Sequence, residues 1–340
     1  MSDGSDRTDG IDAVYTWVDG SDPAFQVVRR QYAGTAEPEP VQRHRNNGEL
    51  RFSLRSLLRH APWVQRIHIL TNGQIPHWLD SSHPRIHLVT HAEVFPDPRC
   101  LPTFNSHAIE MCLHRIPGLS RHFLYLNDDF FLGRDVSPDD FLTPGGGQVI
   151  FLDEYPLPAD PHHGPARERA CAYTQSLLNA RWGLPATPRR NLAHTPQAYD
   201  RDVLFRLESL FQDEFRQTAT HRFRSGDDLA MNVLYGYTVL ESAAERGPHQ
   251  LRVLPDFSRE YRLFMLTNRY LRTAHAYVKT LWQHPRFLCM NDDLDDVPPY
   301  HPLLLSLRAF LPLYYWRRAP LERGLFRRRR QTFSPYPPSQ

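Results

Sequence analysis

The sequence predicts an α/β protein, and three observations carry that expectation. Short β-branched and aromatic runs stop at turn residues, helix-spaced apolar residues lie between them, and 340 residues with 41% hydrophobic content can bury a sizeable core. Ile11 to Val18 (IDAVYTWV) reads as a buried strand running into the turn cluster Asp19-Gly20-Ser21-Asp22-Pro23. Gly48 to His60 sets Leu50, Leu54, Leu57 and Leu58 on one helix face and ends at Ala61-Pro62. Arg66 to Leu70 (RIHIL) is a second strand, broken at Thr71-Asn72-Gly73, and Arg85 to Val89 (RIHLV) a third. A helix over Ser106 to Arg115 leads to a buried strand, Phe123 to Leu126 (FLYL). Pro156 to Pro165 reads as a loop or lid, and Asp200 to Phe215 and Asp227 to Leu240 as helices. The second half is therefore expected to be more helical, with a soft boundary near residue 150. In such alternating folds crossovers make the sheet largely parallel, and ligands sit at the carboxyl ends of its strands.

Charge and cysteine usage narrow the class. The 40 basic and 38 acidic residues nearly cancel to +2, yet Lys279 is the only lysine. Arginine forms bidentate pairs with phosphates and carboxylates, so the bias fits either a polyanion binder or a GC-rich genome. Cys100, Cys112, Cys171 and Cys289 lie far apart without C-x-x-C spacing, which implies neither a zinc site nor a disulfide framework and fits a reducing cytoplasm. The polar, acidic start MSDGSDRTDG is no signal peptide, and no apolar run reaches about 18 residues, so a soluble protein is expected. Pro302 to Trp316 (PLLLSLRAFLPLYYW), followed by Arg317, Arg318 and the run Arg327 to Arg330, reads either as a packed helix kinked at Pro312 with a solvated tail or as a peripheral contact with an anionic membrane.

Two strand ends carry unusual polar clusters. Asn127-Asp128-Asp129 follows FLYL, and Asn291-Asp292-Asp293 follows Phe287 to Met290 (FLCM). Carboxylates at the end of a buried strand are costly unless a cation compensates them, and Mg²⁺ or Mn²⁺ is commonly held by one or two carboxylates plus substrate phosphates. A turn or capping cluster is the plainer alternative, and Asp295 and Asp296 make the second cluster readable as an acidic loop. His194, among turn formers, can accept a proton from a hydroxyl or can be an ordinary loop residue. Arg222 and Arg224, before Ser225-Gly226-Asp227-Asp228, can pair with phosphate or with those aspartates. No Walker loop or G-x-G-x-x-G fingerprint is present, which weighs against P-loop and dinucleotide enzymes. Two acidic clusters and a near-zero net charge weigh against a nucleic-acid partner.

These residues resemble a known family. Ile11 to Pro23 (IDAVYTWVDGSDP), Glu49 to Leu79, Leu101 to Glu110 (LPTFNSHAIE) and Phe123 to Asp129 (FLYLNDD) are similar to the first two of four sequence blocks of the Stealth family. Asn191 to Pro196 with Arg222 to Leu229 resembles the third block, and Phe287 to Asp293 the fourth. The resemblance implies transfer of a sugar-1-phosphate from a nucleotide sugar, typically a UDP-sugar such as UDP-N-acetylglucosamine, to a hydroxyl of a glycan acceptor in capsular or exopolysaccharide synthesis; a metal-dependent glycosyltransferase that releases UDP, or a non-enzymatic polyanion-binding protein, is the alternative. It implies a glycosyltransferase-A-like, mostly parallel nucleotide-sugar-binding sheet flanked by helices. Asp129, His194 and Arg224 are the implied catalytic residues, with Arg222 the alternative to Arg224. Thr16, Trp17, Asp19, Gly20, Asp22, Arg55, Asn72, Gly73 and Gln74 would bind the nucleotide sugar, and Asp128, Asp129, Asn291 and Asp292 would hold Mg²⁺ or Mn²⁺. Arg51, Arg189 and Arg190 join Arg55 as further candidates for the diphosphate. The expected organisation is a disordered leader over 1–10, a nucleotide-sugar-binding part over 11–150, completion of the same catalytic unit over 151–300, and a C-terminal helix with basic tail over 301–340. The oligomeric state is left open.

Overall fold

Five strands form the central sheet of the computed structural model, which describes residues 10–34, 45–242, 249–294 and 296–323. β1 (Asp12–Thr16), β2 (Ile67–Thr71), β3 (Ile86–Thr90) and β4 (His122–Asn127) run parallel in the order β3-β2-β1-β4. The register pairs Thr16 with both Leu70 and Asn127, so the carboxyl ends of β1, β2 and β4 share one rim. These strands are apolar along most of their length, as a parallel sheet covered on both faces requires.

β5 (Phe130–Leu132) follows β4 after a turn at Asp128-Asp129 and leaves the central sheet. It pairs antiparallel with β11 (Phe287–Asp292), which lies parallel to β10 (Tyr261–Leu266). A third sheet joins β6 (Val149–Pro156) to β7 (Arg190–Leu192) and β9 (Gln250–Val253), and β8 (Gln197–Asp200) closes the edge of the central sheet against β4. The architecture is mixed α/β with a mostly parallel central sheet.

The helices follow from local chemistry. α1 (Pro23–Ala33) starts where the Asp22 side chain accepts from the Ala24 N–H and Pro23 occupies the first turn. α2 (Glu49–His60) buries Leu50, Leu54 and Leu57 as its spacing predicts, and its serines fasten β5: Ser53 donates to the Phe130 carbonyl, and the Leu132 N–H donates to Ser56 Oγ (3.0 Å). The expected helix over 106–115 is shorter, with α4 (Ser106–Glu110) followed by a 3₁₀ turn over Leu113–Arg115; α3 (His91–Val94) precedes it. The expected helix over 200–215 is two, α6 (Arg201–Leu210) and α7 (Gln212–Thr220), because Phe211 leaves helical geometry to pack its ring on Trp182. α8 spans Met231–Glu241, so Asp227 and Asp228 sit in the turn before it. α5 (Ala166–Trp182) and α9 (Tyr270–Gln283) were not anticipated, and α10 (Pro302–Tyr314) continues across Pro312 while burying Leu303, Leu304, Leu307 and Leu311.

The second half is the more helical, as expected, with α5 to α10, and it also carries β6 to β11. β6 crosses residue 150, and one apolar cluster joins Val14 and Phe123 to Leu204 and Leu234. The four cysteines are buried. Among the described residues no helix is long and apolar enough to cross a membrane. Residues 1–9 of the expected leader over 1–10, Asp295 and the run Arg327 to Arg330 lie outside the described residues.

Candidate active site

The shared rim begins with two interlocked turns. Gln74 accepts from the Asp19 N–H (2.7 Å) and donates to the Asp19 carbonyl and to Asp22 Oδ2 (both 3.0 Å), so the turns after β1 and β2 hold each other. Gly73, at φ 101°, makes the second turn possible, and its N–H donates to Thr71 Oγ1 (2.8 Å). Asn72 is buried, and its Nδ2 has no hydrogen-bond partner among the described residues, an open donor at the edge of the sheet. Gly20 sits in the first turn, its carbonyl accepting from Gln26 Nε2 (2.5 Å). Thr16 Oγ1 lies 3.0 Å from Tyr125 Oη, which donates to Asn127 Oδ1 (2.9 Å). Trp17 differs from its expected role: its ring belongs to the buried core, and what it lends the rim is backbone, through its N–H to Leu70 O (3.0 Å).

Beside these turns the acidic strand ends meet. β11 pairs with β5, which brings the Met290 N–H to the Asp129 carbonyl (3.0 Å) and Asn291 Nδ2 to Asp129 Oδ2 (3.3 Å). Cys289 Sγ approaches the same carboxylate oxygen at 3.4 Å. Loss of water pushes the Asp129 carboxyl up to about 6, against those two hydrogen bonds. Asp128 is raised well above the carboxylate range by burial first, then by the charges of Glu49 and Asp129. Glu49 is raised as well, by burial and by Asp129, although it accepts the Asn47 N–H (2.7 Å). Glu49 is a site residue that the sequence reading missed, because an acid in the first turn of α2 reads as an ordinary partner of the helix dipole.

The oxygen donors of Asp128, Asp129 and the Asn291 carbonyl suit a hard divalent ion that also takes substrate phosphates, and the mutual repulsion of the carboxylates is what such an ion relieves. No group of three or more His, Cys, Asp or Glu side chains that could hold a metal ion occurs among the described residues. Asp292 corrects the expected ligand set. Its oxygens accept from Arg45 (2.8 and 3.0 Å), Asn47 Nδ2 (3.2 Å) and the Leu294 N–H (3.0 Å), which neutralises the charge a cation would need.

His194 lies between β7 and β8, with its ring edge-on to Phe130 (6.3 Å) and its N–H donating to Tyr261 Oη (3.2 Å). Burial and the nearby Arg167 charge push its imidazole down to about 4, so the ring is neutral at ordinary pH, and Nδ1 has no partner among the described residues. Arg224 donates to Ser106 Oγ (2.5 Å) and lends positive charge to Tyr125 at the rim and to Cys171 on α5. Arg222 is spent on the carbonyls of Arg99 (2.9 Å), Cys100 (3.3 Å) and Pro102 (2.6 Å). Neither arginine pairs with Asp227 or Asp228. Arg167, on α5, is half-buried, makes no hydrogen bond or ion pair among the described residues, and acts through its charge on His194, Asp153 and Cys171. Sequence reasoning missed it because one arginine in so basic a chain carries no signal.

The other expected arginines are committed elsewhere. Arg55 does not reach the rim: it is buried, with Nε and Nη2 on Glu322 (2.5 and 2.9 Å) and Nη1 on the Tyr315 carbonyl (2.7 Å), so its charge is already neutralised. Arg51 shares Glu322 (2.7 Å), Arg189 pairs with Glu241 (2.7 and 2.9 Å), and Arg190 donates to the Glu154 carbonyl (3.3 Å).

The interlocked turns after β1 and β2 and the paired acidic strand ends make the carboxyl edge of the sheet the candidate site. The sequence matches three descriptions in the expected order: Stealth protein conserved region 1 over residues 9–36, conserved region 2 over 43–150 and conserved region 3 over 193–240. Together these cover more than half of the chain, and the chain belongs to the Stealth family. It is similar to the exopolysaccharide phosphotransferase SCO6023 of Streptomyces coelicolor, 39% identical over 92% of this chain and 52% of that protein. It is also similar to the exopolysaccharide phosphotransferase CpsY of Mycobacterium tuberculosis, 36% identical over 94% of this chain and 59% of that one. The chain thus spans about half the length of the curated relatives it matches. Among solved structures it resembles the galactosyltransferase LgtC at a TM-score of 0.42 and 12% identity, over 90% of this chain and 95% of that one. It resembles the bifunctional glycosyltransferase WbbM at 0.46 and 12%, over 92% and 50%.

Proposed function

We propose that this protein transfers a sugar-1-phosphate from a nucleotide sugar, a UDP-sugar, to a hydroxyl of a glycan acceptor in exopolysaccharide synthesis. The observation that carries the reading is the contact of Asn291 with Asp129, next in the chain to Asp128, together with a His194 ring packed on the neighbouring Phe130 whose Nδ1 has no partner among the described residues. The names of the similar exopolysaccharide phosphotransferases support the same class.

The nucleotide sugar lies along the turns of Asp19 to Asp22 and Asn72 to Gln74, where Asn72 Nδ2 supplies a donor. The acceptor oxygen attacks the phosphorus that bears the sugar. Its proton passes to His194 Nδ1, the new P–O bond forms, and the bond to the departing nucleoside monophosphate breaks in line. An imidazole held near 4 by burial and Arg167 is a weak base, and the negative diphosphate of a bound donor raises it. Arg224 and Arg167 stabilise charge on the equatorial phosphate oxygens. Mg²⁺ or Mn²⁺, held by Asp128, Asp129 and Asn291, would offset the diphosphate charge. Residues 11–150 bind the donor and 151–300 complete the site.

Incubation with Mg²⁺ and a panel of nucleotide sugars, followed by mass, tests the reading. It predicts release of a nucleoside monophosphate from one donor, and none from Asp129→Asn. Release of UDP instead would reassign the chain to glycosyl transfer.

A further inference from the structure

We infer that the outward face of α9 and α10 docks this protein on an anionic lipid bilayer. On α9 the core side is marked by Thr273, Ala276 and Thr280, which are buried. On the opposite side, at helical spacing, stand Leu271, Val278 and Trp282; Leu271 is 89% exposed and Trp282 75%. α10 repeats the pattern. Leu303, Leu304, Leu307 and Leu311 face inward, while Leu305 and Leu313 face out, Leu313 at 74% exposure, and Trp316, just beyond the helix end, is exposed too. The two helices pack side by side through Tyr277, which stacks on Phe310 (4.5 Å) and meets Ser306 Oγ at 3.1 Å, so the two apolar stripes flank one seam. An amphipathic surface helix ordinarily exposes its polar side, whereas each of these turns large apolar side chains outward.

Charge selects the occupant. Neither helix contains an aspartate or glutamate, and none occurs from Trp316 to Leu321. The flanks carry Arg269, Arg272 and Lys279 on α9 and Arg317 and Arg318 after α10, and Arg317 lies over the Trp316 ring (5.1 Å). Arg272 and Lys279 make no hydrogen bond or ion pair among the described residues. A self-complementary contact with a second copy would set like charges against each other, whereas an anionic membrane pairs with all of them. Exposed tryptophans beside arginine and lysine are the composition that settles at the headgroup level of a bilayer. The inference rests on these helices alone and is independent of the proposed activity.

Flotation of the full chain with vesicles of phosphatidylcholine, or of phosphatidylcholine mixed with phosphatidylglycerol, tests it directly. Binding to the mixed vesicles that weakens as salt rises is expected. Leu271→Glu with Trp282→Glu should weaken it by roughly tenfold or more, since two buried apolar anchors are lost. Arg272→Glu with Lys279→Glu should abolish the preference for anionic vesicles. Equal binding to both vesicle types, or no binding, overturns the inference. So does full binding by the Leu271→Glu, Trp282→Glu variant, which would assign attachment to the basic tail. Self-association that this same variant abolishes while vesicle binding persists would give the face to a second copy instead.

Discussion

Arg222 and Arg224 stand two residues apart and spend their guanidinium groups differently. Arg222 fastens three backbone carbonyls of residues 99–102 and lies over the Tyr32 ring at 4.7 Å. Arg224 has a single hydroxyl partner, Ser106, and so keeps donors for a phosphate. Arg224→Ala should therefore lower kcat by about a hundredfold, the usual loss when one charge partner of a transition state is removed, with Tm unchanged. Arg222→Ala should lower Tm and spare more of kcat. Steady-state rates beside thermal melts decide between them, and the reverse pattern would exchange their roles. His194→Ala and Asp129→Asn should each abolish most turnover in a folded protein, and a wild-type-like rate in either removes that residue from the mechanism. At this scale the sequence singles residues out where their chemistry is rare and is silent where it is common. Asp129 and His194 sit among apolar and turn residues that set them off. Glu49 and Arg167 do not, and what singles them out is a missing or repelling neighbour that only the fold supplies.

Between elements, the residue proposed to aim Arg224 is Asp228. It is fully buried and accepts from Asn105 Nδ2 (2.9 Å) and the Ser225 N–H (2.8 Å), with His107 Nδ1 at 3.2 Å and His221 Nδ1 at 2.8 Å. These contacts tie the start of α4, which carries Ser106, to the loop before α8, which carries Arg224. Burial would raise the Asp228 carboxyl, but His107 and His221 outweigh it and hold it below its ordinary 3.8. The same hydrogen bond holds His221 above its ordinary 6.5, against partial burial. The signs give a window. The Asp228 contribution is present above about pH 4 and is lost as pH falls through its depressed folded value; the His221 contribution is full below about 6.5 and is lost as pH rises through its raised value. Tm should be highest between those limits. Asp228→Asn should flatten both limbs, destabilise by about 3 kcal/mol and lower kcat with Arg224→Ala. Tm against pH for the two proteins checks this, and parallel curves would refute it. Helix breaks belong to this scale too: Phe211 and the 3₁₀ turn at Leu113 obey tertiary packing that local periodicity does not contain.

For the whole molecule, the parallel strands were legible because each apolar run stops abruptly at a turn, and a parallel sheet then aligns those stops on one rim. The meeting of the two acidic strand ends was not legible, because β11 belongs to another sheet and reaches Asp129 only through its pairing with β5. Nor was the closure of the chain on itself. Residues 302–323 fold back over α2: Asp80 N–H donates to Leu321 O (2.8 Å), Arg323 N–H to Trp78 O (2.8 Å), and Glu322 takes Arg51, Arg55 and the Ala319 N–H (2.9 Å). Burial alone would raise the Glu322 carboxyl, yet Arg55, Ala319 and Arg51 together pull it down to about 2. Its contribution is therefore present above about pH 4.5, the ordinary value, and is lost as pH falls towards 2. Glu322→Gln leaves Arg55 buried without a counter-charge and should cost about 3 kcal/mol at neutral pH, a Tm loss of roughly 1–2 °C for each kcal/mol in a chain of 340 residues. Urea unfolding of both proteins at pH 7 and pH 3 measures it. The difference should shrink at the lower pH, because there the wild-type carboxyl is partly protonated in the unfolded chain and its advantage is spent; a constant difference would mean that Glu322 closes the molecule by shape and not by charge.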